Sequence, residues 1–250
     1  MNKAEREQLK HNEAADALVA ANSYMSQHGR AIALAAVAVL LLVGVWFGYR
    51  AFTARAEERA QVQLASAVDI LSAPVTTPAG ADGTPVPAAA GSYATEAARS
   101  EAALKQLLAT ADSFGGTDAG RRARYYAASV YAETGRAKEA ADAYTAVRDQ
   151  AGTSTLLGRM ASLGLASMQV RQQQFDPAIK ALQELAQRRD GPLPVDAVLV
   201  QLAEAYQQAG RAAEASQTLQ RVVDEFPQSP YAADARQRVE ALQAVASKAS

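Results

Sequence analysis

Few side chains in this chain could carry out acid–base, nucleophilic or metal chemistry. The sequence has no cysteine and two histidines, His11 and His28. Without cysteine there is no disulfide, thiolate metal site or cysteine nucleophile. Both histidines precede a long uncharged stretch, so neither reaches the carboxylates that follow it, and no Ser-His-Asp arrangement results. We therefore predict no catalytic residue, no cofactor and no metal site, and a protein that is not an enzyme.

The charged clusters are short and lack the spacing of an ion or nucleotide site. Glu57 and Glu58 are predicted to lie on a solvated helix face. The RRAR sequence at Arg121–Arg124 is predicted to be exposed helix surface, with a dock for an anionic partner as the alternative. GGTDAG at 115–120 follows no strand, which makes it a turn between helices rather than a nucleotide-binding loop. The formal net charge of −1 offers no basic field for nucleic acid.

The stretch Ala31–Tyr49 (AIALAAVAVLLLVGVWFGY) is unlike the rest of the chain. Its 19 residues carry no charge, and Arg30 and Arg50 close its two ends. As a helix it would rise roughly 28 Å, close to the hydrocarbon thickness of a bilayer. Aromatic residues gather at its C-terminal end, where the headgroup layer favours them. We predict a transmembrane helix at 31–49, after a short polar N-terminal tail at 1–30.

The residues alone leave open how this segment is used. The Ala-Arg-Ala sequence at 54–56 would suit cleavage of a signal peptide, although the leader is partly acidic and the apolar core is long for that role. Basic residues flank both ends, so the positive-inside rule does not fix the orientation. Gly44 and Gly48 have the four-residue spacing found at helix contacts in membranes, which would support self-association.

Beyond the span, the sequence changes from helix to loop and back to helix. Residues 50–71 continue the helix, with apolar residues at helical spacing. Residues 72–92 hold four of the nine prolines and are predicted to form a loop. From 93 to 250 the pattern is helical, and no alternating run predicts a strand. The predicted fold class is all-α.

Single residues within the helical part predict local features. Asp176 followed by Pro177 is typical of a helix N-terminus. Gly158 and Gly164 lie inside a predicted helix and indicate a close approach of a neighbouring helix.

One short sequence motif recurs in the second half of the chain. GRAKEAADAY begins at Gly135, GRAAEASQTL begins at Gly210, and a diverged copy, QQFDPAIKAL, begins at Gln173. Alanine stands five residues after each of these landmarks and seven residues before it, where two helices would cross. Because one helix pair cannot bury its apolar face alone, such pairs stack into a solenoid. The landmark alanines are Ala128, Ala140, Ala166, Ala178, Ala203 and Ala215.

This pattern resembles the tetratricopeptide repeat, with the usual period of about 34 residues lengthened to 37–38. The resemblance covers residues 93–246, and 54–71 less closely. It rests on the alanine and glycine register, on Tyr131 and Tyr206, and on Pro227 after the last pair. It implies an α-solenoid of three to four helix pairs, with the repeat domain at 93–250.

The whole layout resembles one bacterial family, the single-pass inner-membrane ancillary subunit of the Sec translocon. A short polar leader, the sequence SQHGRAIAL at the start of the span and the small repeat array carry this resemblance. It implies a cytoplasmic N-terminus, a periplasmic repeat domain, and partners among translocon subunits, periplasmic chaperones or secretory clients. The alternative function is a structural scaffold in envelope assembly or cell division, a homo-oligomer that binds no client.

The first helix of each pair in such a solenoid lines the concave face. On the assigned register, this face takes the residues thirteen, ten, six and three positions before each landmark. They form an apolar strip with a polar rim, which is either an exposed partner site or covered core. The candidate partner-binding residues are Arg122, Tyr125, Ser129, Met160, Leu163, Ser167, Val170, Val200, Glu204 and Gln207.

Overall fold

The computed structural model describes residues 3–76, 90–188 and 193–249. These residues form nine α-helices and no β-strand, which confirms the all-α class. The helices are α1 (Lys3–Ser72), α2 (Glu96–Ser113), α3 (Asp118–Glu133), α4 (Ala137–Ala151), α5 (Leu156–Arg171), α6 (Phe175–Gln187), α7 (Val195–Gln208), α8 (Ala212–Glu225) and α9 (Ala232–Ala249).

The chain divides into two compact units, Met1–Arg55 and Ala56–Ser250. The first unit is the N-terminal part of α1. Every residue from 37 to 50 is exposed, and the helix is long and apolar enough to cross a membrane by length and composition. The Arg50 guanidinium lies 5.4 Å from the centre of the Trp46 ring, an amphipathic pair suited to a membrane–water interface. The boundaries of the span and its orientation stay predictions.

The second unit is a stack of helix pairs. From α2 to α9 each helix packs against the next, and α3 also contacts α5 while α5 contacts α7. Because the odd-numbered helices approach one another more closely than the even-numbered ones, the odd helices line the inner, concave side. The last turns of α1 complete the first pair, since Leu64 and Ala67 pack in one apolar cluster with Leu104 and Leu107 of α2.

The alanines that recur at fixed spacing in the sequence lie where the helices cross. Close approach of two helix backbones requires small side chains, and each predicted crossing position is shielded from solvent. The six landmark alanines are all 0% exposed. One turn further on, the larger side chains of Tyr144, Leu182 and Leu219 fill the core and are 5%, 1% and 0% exposed.

The three landmark residues share one turn geometry. Gly135, Gln173 and Gly210 have φ angles of 77°, 60° and 75°, in the left-handed region that glycine adopts without strain. In each turn the next N–H donates to the carbonyl five residues earlier at 2.8 Å, which closes the first helix of the pair. The turn therefore survives in the middle copy although glutamine stands where glycine is favoured.

The predicted helix N-terminus at Asp176 and Pro177 is wrong. Helix α6 already begins at Phe175, because the left-handed turn at Gln173 fixes where the new helix starts. Asp176 lies in the first turn and its carboxylate comes 4.0 Å from Arg211 of the following repeat. Its acidic side chain still suits the positive end of the helix dipole.

Glu57 caps a helix that begins 61 residues later. Its carboxylate accepts hydrogen bonds from the backbone N–H groups of Asp118, at 2.7 Å, and Ala119, at 3.2 Å. The prediction of a solvated face is therefore right for Glu58, which is exposed, and wrong for Glu57, which is half-buried. Two unpaired N–H groups at the start of α3 gain an anionic acceptor, as the geometry of helix ends requires.

The first three residues of the GGTDAG stretch lie in the predicted turn between α2 and α3, and the last three form the first turn of α3. Thr117 caps α3, and its hydroxyl accepts from the N–H of Gly120 at 3.0 Å. A β-carbon on Gly120 would lie 1.9 Å from the carbonyl oxygen of Phe114, so the incoming chain passes directly over this glycine. Residues 77–89 of the predicted loop lie outside the described residues. At its two described ends, Thr76 and Tyr93 are joined by a backbone hydrogen bond of 2.9 Å.

Candidate functional site

A pocket of about 650 Å³ opens on the concave side between α3 and α5, and we call it the α3/α5 pocket. Two large side chains of its apolar wall are exposed to solvent: Tyr126 is 39% exposed and Leu156 is 47% exposed. The C-terminal end of α4 closes one side through Gln150 and Ala151. The further residues that line it include Asp118, Arg121, Arg122, Tyr125, Leu157 and Met160.

Two tyrosines and a serine support the floor of this pocket, and a third tyrosine from the wall packs against it. The ring of Tyr125 packs edge-on against Tyr144, with centroids 5.5 Å apart, and against Tyr126 at 6.1 Å. The hydroxyls of Ser129 and Tyr144 lie 3.1 Å apart, within hydrogen-bonding distance. Burial raises the pKa of both Tyr125 and Tyr144 above the usual value of 10.0, so both phenols stay neutral. The floor is thus a fixed aromatic surface rather than an ionisable one.

The charges at the α3/α5 pocket are unevenly paired. Arg121 forms an ion pair with Asp118, and Arg124 forms one with Asp112 at 2.9 Å. Arg122, between them, is exposed and has no acidic partner among the residues that the structure describes. One arginine of the RRAR cluster therefore faces solvent beside exposed aromatic and aliphatic side chains.

A second, smaller pocket of about 240 Å³ lies further along the concave side, between α5 and α7. Its lining is mostly polar. Ser167 donates a hydrogen bond to Gln201 at 3.3 Å, and Glu204 accepts one from Gln208 at 3.2 Å. The concave face thus passes from a basic and aromatic end at α3 to a polar end with an exposed carboxylate at α7.

The sequence matches the family model of the tetratricopeptide repeat-like domain over residues 22–190. Residues 169–239 also match a model of the tetratricopeptide repeat. The first match covers more than half of the chain. This chain belongs to the tetratricopeptide repeat-like family.

The fold of this tetratricopeptide repeat-like chain is similar to that of solved repeat proteins. One is a kinesin light chain from Podosopora anserina with nearly identical TPR-like repeats, at 15% identity and a TM-score of 0.57. The match covers 77% of this chain and 89% of that one. A variant of the same protein gives the same TM-score and identity, with 88% of its chain covered. No curated protein matches the sequence.

The ten predicted concave-face residues lie on the odd-numbered helices α3, α5 and α7 but play different parts. None of the ten is fully buried, and Arg122 and Glu204 are exposed. Leu163, Val170 and Val200 pack at the edge of the core formed by α5 to α9, so this part of the strip is shared with the core. Tyr125, Arg122 and Met160 meet in the α3/α5 pocket, whereas Ser167, Val170 and Glu204 meet in the α5/α7 pocket.

Two of the ten side chains serve the repeat structure itself. Ser129 is bonded to Tyr144, and Gln207 accepts a hydrogen bond from Arg238 of α9. Sequence reasoning missed the most exposed apolar residues of the site, Tyr126 and Leu156. Leu156 lies one helical turn before Met160 on the same face, so extending the register by one turn would have found it.

No group of three or more histidine, aspartate or glutamate side chains with metal-binding geometry occurs in the part of the repeat chain that the structure describes. His11 and His28 have side chains outside the described ones. What the site offers chemically is recognition: an aromatic floor, an exposed cation and an apolar wall.

Proposed function

We propose that this chain is a membrane-anchored protein–protein interaction module that acts in secretion or envelope protein folding near the Sec translocon. The observation that carries the proposal is the α3/α5 pocket, where Tyr126 and Leu156 are exposed beside Arg122. Tyrosine and arginine next to a desolvated apolar surface supply much of the binding energy at protein interfaces. Tetratricopeptide repeats generally bind proteins and are typically non-enzymatic scaffolds, which agrees with this role.

The anchoring half of the proposal rests on the apolar part of α1. A helix of this length and composition can cross a bilayer, and aromatic and arginine side chains follow its apolar stretch. The proposed arrangement is a single span in a bacterial inner membrane with the N-terminus in the cytoplasm and the repeats in the periplasm. Translocon subunits, periplasmic chaperones and secretory clients are the proposed partners.

A self-associating scaffold is the second candidate, and the glycines of α1 favour it. A β-carbon on Gly44 or Gly48 would meet nothing within 4 Å, so this face of the helix is open to a second helix. Small residues spaced by four allow two membrane helices to approach closely. This candidate predicts that the chain cross-links to itself through α1 and to no client through the repeats.

The test is site-specific photo-crosslinking of the full chain in intact membranes. A photoreactive amino acid replaces Leu156, which is exposed in the α3/α5 pocket, and the control probe replaces Ala213, which is exposed on α8. Adducts of translocon subunits, chaperones or secretory chains at position 156 but not at 213 support the proposal. Self-adducts alone favour the scaffold, and no adduct above the control rejects the concave face as a docking site.

Orientation has a separate test that the composition makes simple. Because the chain has no cysteine, one introduced cysteine is the only thiol that a maleimide can label. A membrane-impermeant maleimide added to intact spheroplasts is expected to label Ala213→Cys without lysis. Labelling that requires lysis would place the repeats in the cytoplasm and remove the periplasmic part of the proposal.

A further inference from the structure

A second groove lies on the outer side of the solenoid, between the even-numbered helices α4 and α6, with α5 beneath. This α4/α6 groove has a volume of about 420 Å³. Leu165 and Gln169 of α5 form its floor, and Pro177, Ala181 and Leu185 of α6 form one apolar wall. It is separate from the concave face, because its walls are the second helices of the pairs.

The same groove recurs one repeat later, between α6 and α8, with a volume of about 350 Å³. The two grooves correspond position by position along the repeat. Leu202 stands eight residues before its landmark, as Leu165 does, and Tyr206 stands four before it, as Gln169 does. The α6/α8 groove therefore shows which side chains line this groove in a repeat that keeps the Gly-Arg-Ala-x-Glu-Ala sequence.

In the α6/α8 groove a tyrosine ring occupies the floor. The hydroxyl of Tyr206 accepts a hydrogen bond from Gln183 at 2.7 Å. Arg211 covers the ring at 4.8 Å and is itself held by Glu214 at 2.8 Å. Ring, cation and carboxylate form one set, and each member has its partner within the chain.

The first repeat carries the same set, which makes it a property of the repeat and not of one site. Arg136 lies 4.5 Å from the centre of the Tyr131 ring and is held by Glu139 at 3.0 Å. The repeated Gly-Arg-Ala-x-Glu-Ala phrase supplies the arginine and the glutamate, and the tyrosine four residues before the glycine supplies the ring.

The middle repeat has lost all three members together. Gln169, Gln174 and Pro177 stand at the positions of the tyrosine, the arginine and the glutamate. The Oε1 atom of Gln169 is buried and has no hydrogen-bond partner among the described residues. A buried acceptor left unpaired destabilises the fold, and a donor from outside the chain would satisfy it.

The rim of the α4/α6 groove is basic. Lys180 on α6 and Arg188 directly after it are exposed and form no ion pair with a described residue, while Arg148 on α4 is paired with Asp149. Glu184 is the one acidic side chain among the described residues that line the groove. A segment that enters it is therefore favoured if it carries negative charge.

We infer that the α4/α6 groove binds a tyrosine side chain of an acidic segment of a partner protein. The ring takes the place that Tyr131 and Tyr206 fill in the other repeats and packs on Leu165 and Leu185. Its hydroxyl donates to Oε1 of Gln169. Acidic residues beside the tyrosine meet Lys180 and Arg188. This site does not depend on the concave face or on the proposed role in secretion.

The experiment measures peptide binding to the full chain in detergent micelles by fluorescence anisotropy. The probe is a peptide Asp-Glu-Tyr-Asp-Glu with a Gly-Ser spacer and an N-terminal fluorophore, and the control peptide has alanine in place of tyrosine. We expect the tyrosine peptide to bind about tenfold more tightly or better, from the burial of one aromatic ring. Equal affinity for the two peptides, or no binding of either, would overturn the inference.

Two variants locate the binding. Gln169→Tyr fills the groove with the ring that the other repeats carry, and we expect it to reduce affinity about tenfold or more without loss of stability. Lys180→Glu, at an exposed position, is expected to weaken binding as well, whereas Gln217→Glu at the matching position of the α6/α8 groove is not. If Arg122→Glu abolishes binding and Lys180→Glu leaves it unchanged, the peptide binds the α3/α5 pocket and the inference is wrong.

Discussion

The ring of Tyr144 on α4 occupies the space that a side chain on Gly164 of α5 would need. A β-carbon built on Gly164 would lie 2.6 Å from Cζ of Tyr144, well inside van der Waals contact. The predicted close packing of a neighbouring helix is thereby confirmed for Gly164 and is wrong for Gly158, which lies against the carbonyl of Gly152 in the preceding turn. The same ring supports Tyr125 and so the floor of the α3/α5 pocket.

Gly164→Ala is therefore expected to destabilise the repeat domain. The clash with a buried ring outweighs the better helix propensity of alanine, and we expect a net loss of about 1–2 kcal/mol in the free energy of unfolding. Urea denaturation followed by circular dichroism measures it. Gly116→Ala is the control, because a β-carbon there meets nothing within 4 Å. Equal stability of the two variants would mean that the Tyr144 ring moves aside without cost.

Glu57→Ala is expected to weaken the start of α3. The loss of an anionic acceptor for two backbone N–H groups costs about 1 kcal/mol. Hydrogen exchange of the Asp118 and Ala119 amides is expected to speed up more than exchange elsewhere in α3. The matched control is Glu58→Ala, which removes an exposed carboxylate from the next position. A Glu58 variant with the same effect would show that general charge, not the cap, is responsible.

Gln173→Gly is expected to stabilise the middle repeat. Glutamine holds a φ of 60° in the turn where the other two copies have glycine. Release of this backbone strain is worth about 1 kcal/mol. The opposite change, Gly210→Ala, forces a side chain into the same conformation and is expected to lower the melting temperature. A Gln173→Gly variant that melts at or below the parent temperature would contradict the assignment of strain to this turn.

Stability is expected to fall as the pH drops below the ordinary glutamate range. The pKa of Glu214 is held below its usual value of 4.5 mainly by the hydrogen bond from Arg211. The pKa of Glu139 is lowered by its own backbone N–H first and by Arg136 second. A carboxylate with a lowered pKa in the folded state stabilises the fold above its unfolded pKa, and this contribution is lost as the pH falls through the folded value.

Urea titrations at a series of pH values below neutrality measure this loss. In a double variant, Arg136→Gln with Arg211→Gln, both glutamates lose their cation, so we expect a shallower decline of stability with falling pH. If the stability of the double variant declines as steeply as that of the parent, these ion pairs do not control the loss of stability at acid pH. Lys105→Gln removes an exposed cation that forms no ion pair with a described residue and is the control for a general loss of charge.

The helix crossings could be predicted from the sequence because steric demand leaves a trace at fixed spacing. Only a small residue fits where two backbones meet, so alanine at Ala140, Ala178 and Ala215 marks the same point in three pairs. The left-handed turns leave a similar trace at Gly135 and Gly210. Both signals are local, since the residue and its constraint lie in the same stretch of chain.

The contacts that were missed join residues that are distant in the sequence. Nothing near Glu57 indicates that its carboxylate meets the N-terminus of α3, because the two are separated by the loop and by α2. The α3/α5 pocket was predicted only in part for a different reason. The repeat register assigns a residue to one face of a helix, but it does not say over what length of the helix that face is exposed. Leu156 lies four residues before Met160, which is the first residue of α5 that the register assigns to the face.

The hydrogen bond between Glu57 and the start of α3 also bears on how much chain can be inserted between Glu57 and Asp118. The hydrogen bond joins residues 61 positions apart, and the segment between them holds α2 and the proline-rich stretch at 72–92. The entropy of loop closure grows only with the logarithm of length, so doubling a loop costs about 0.6 kcal/mol more. A longer insertion in the first helix pair is therefore expected to lower the stability only slightly. The condition is that the Glu57 carboxylate still accepts hydrogen bonds from the N–H groups of Asp118 and Ala119.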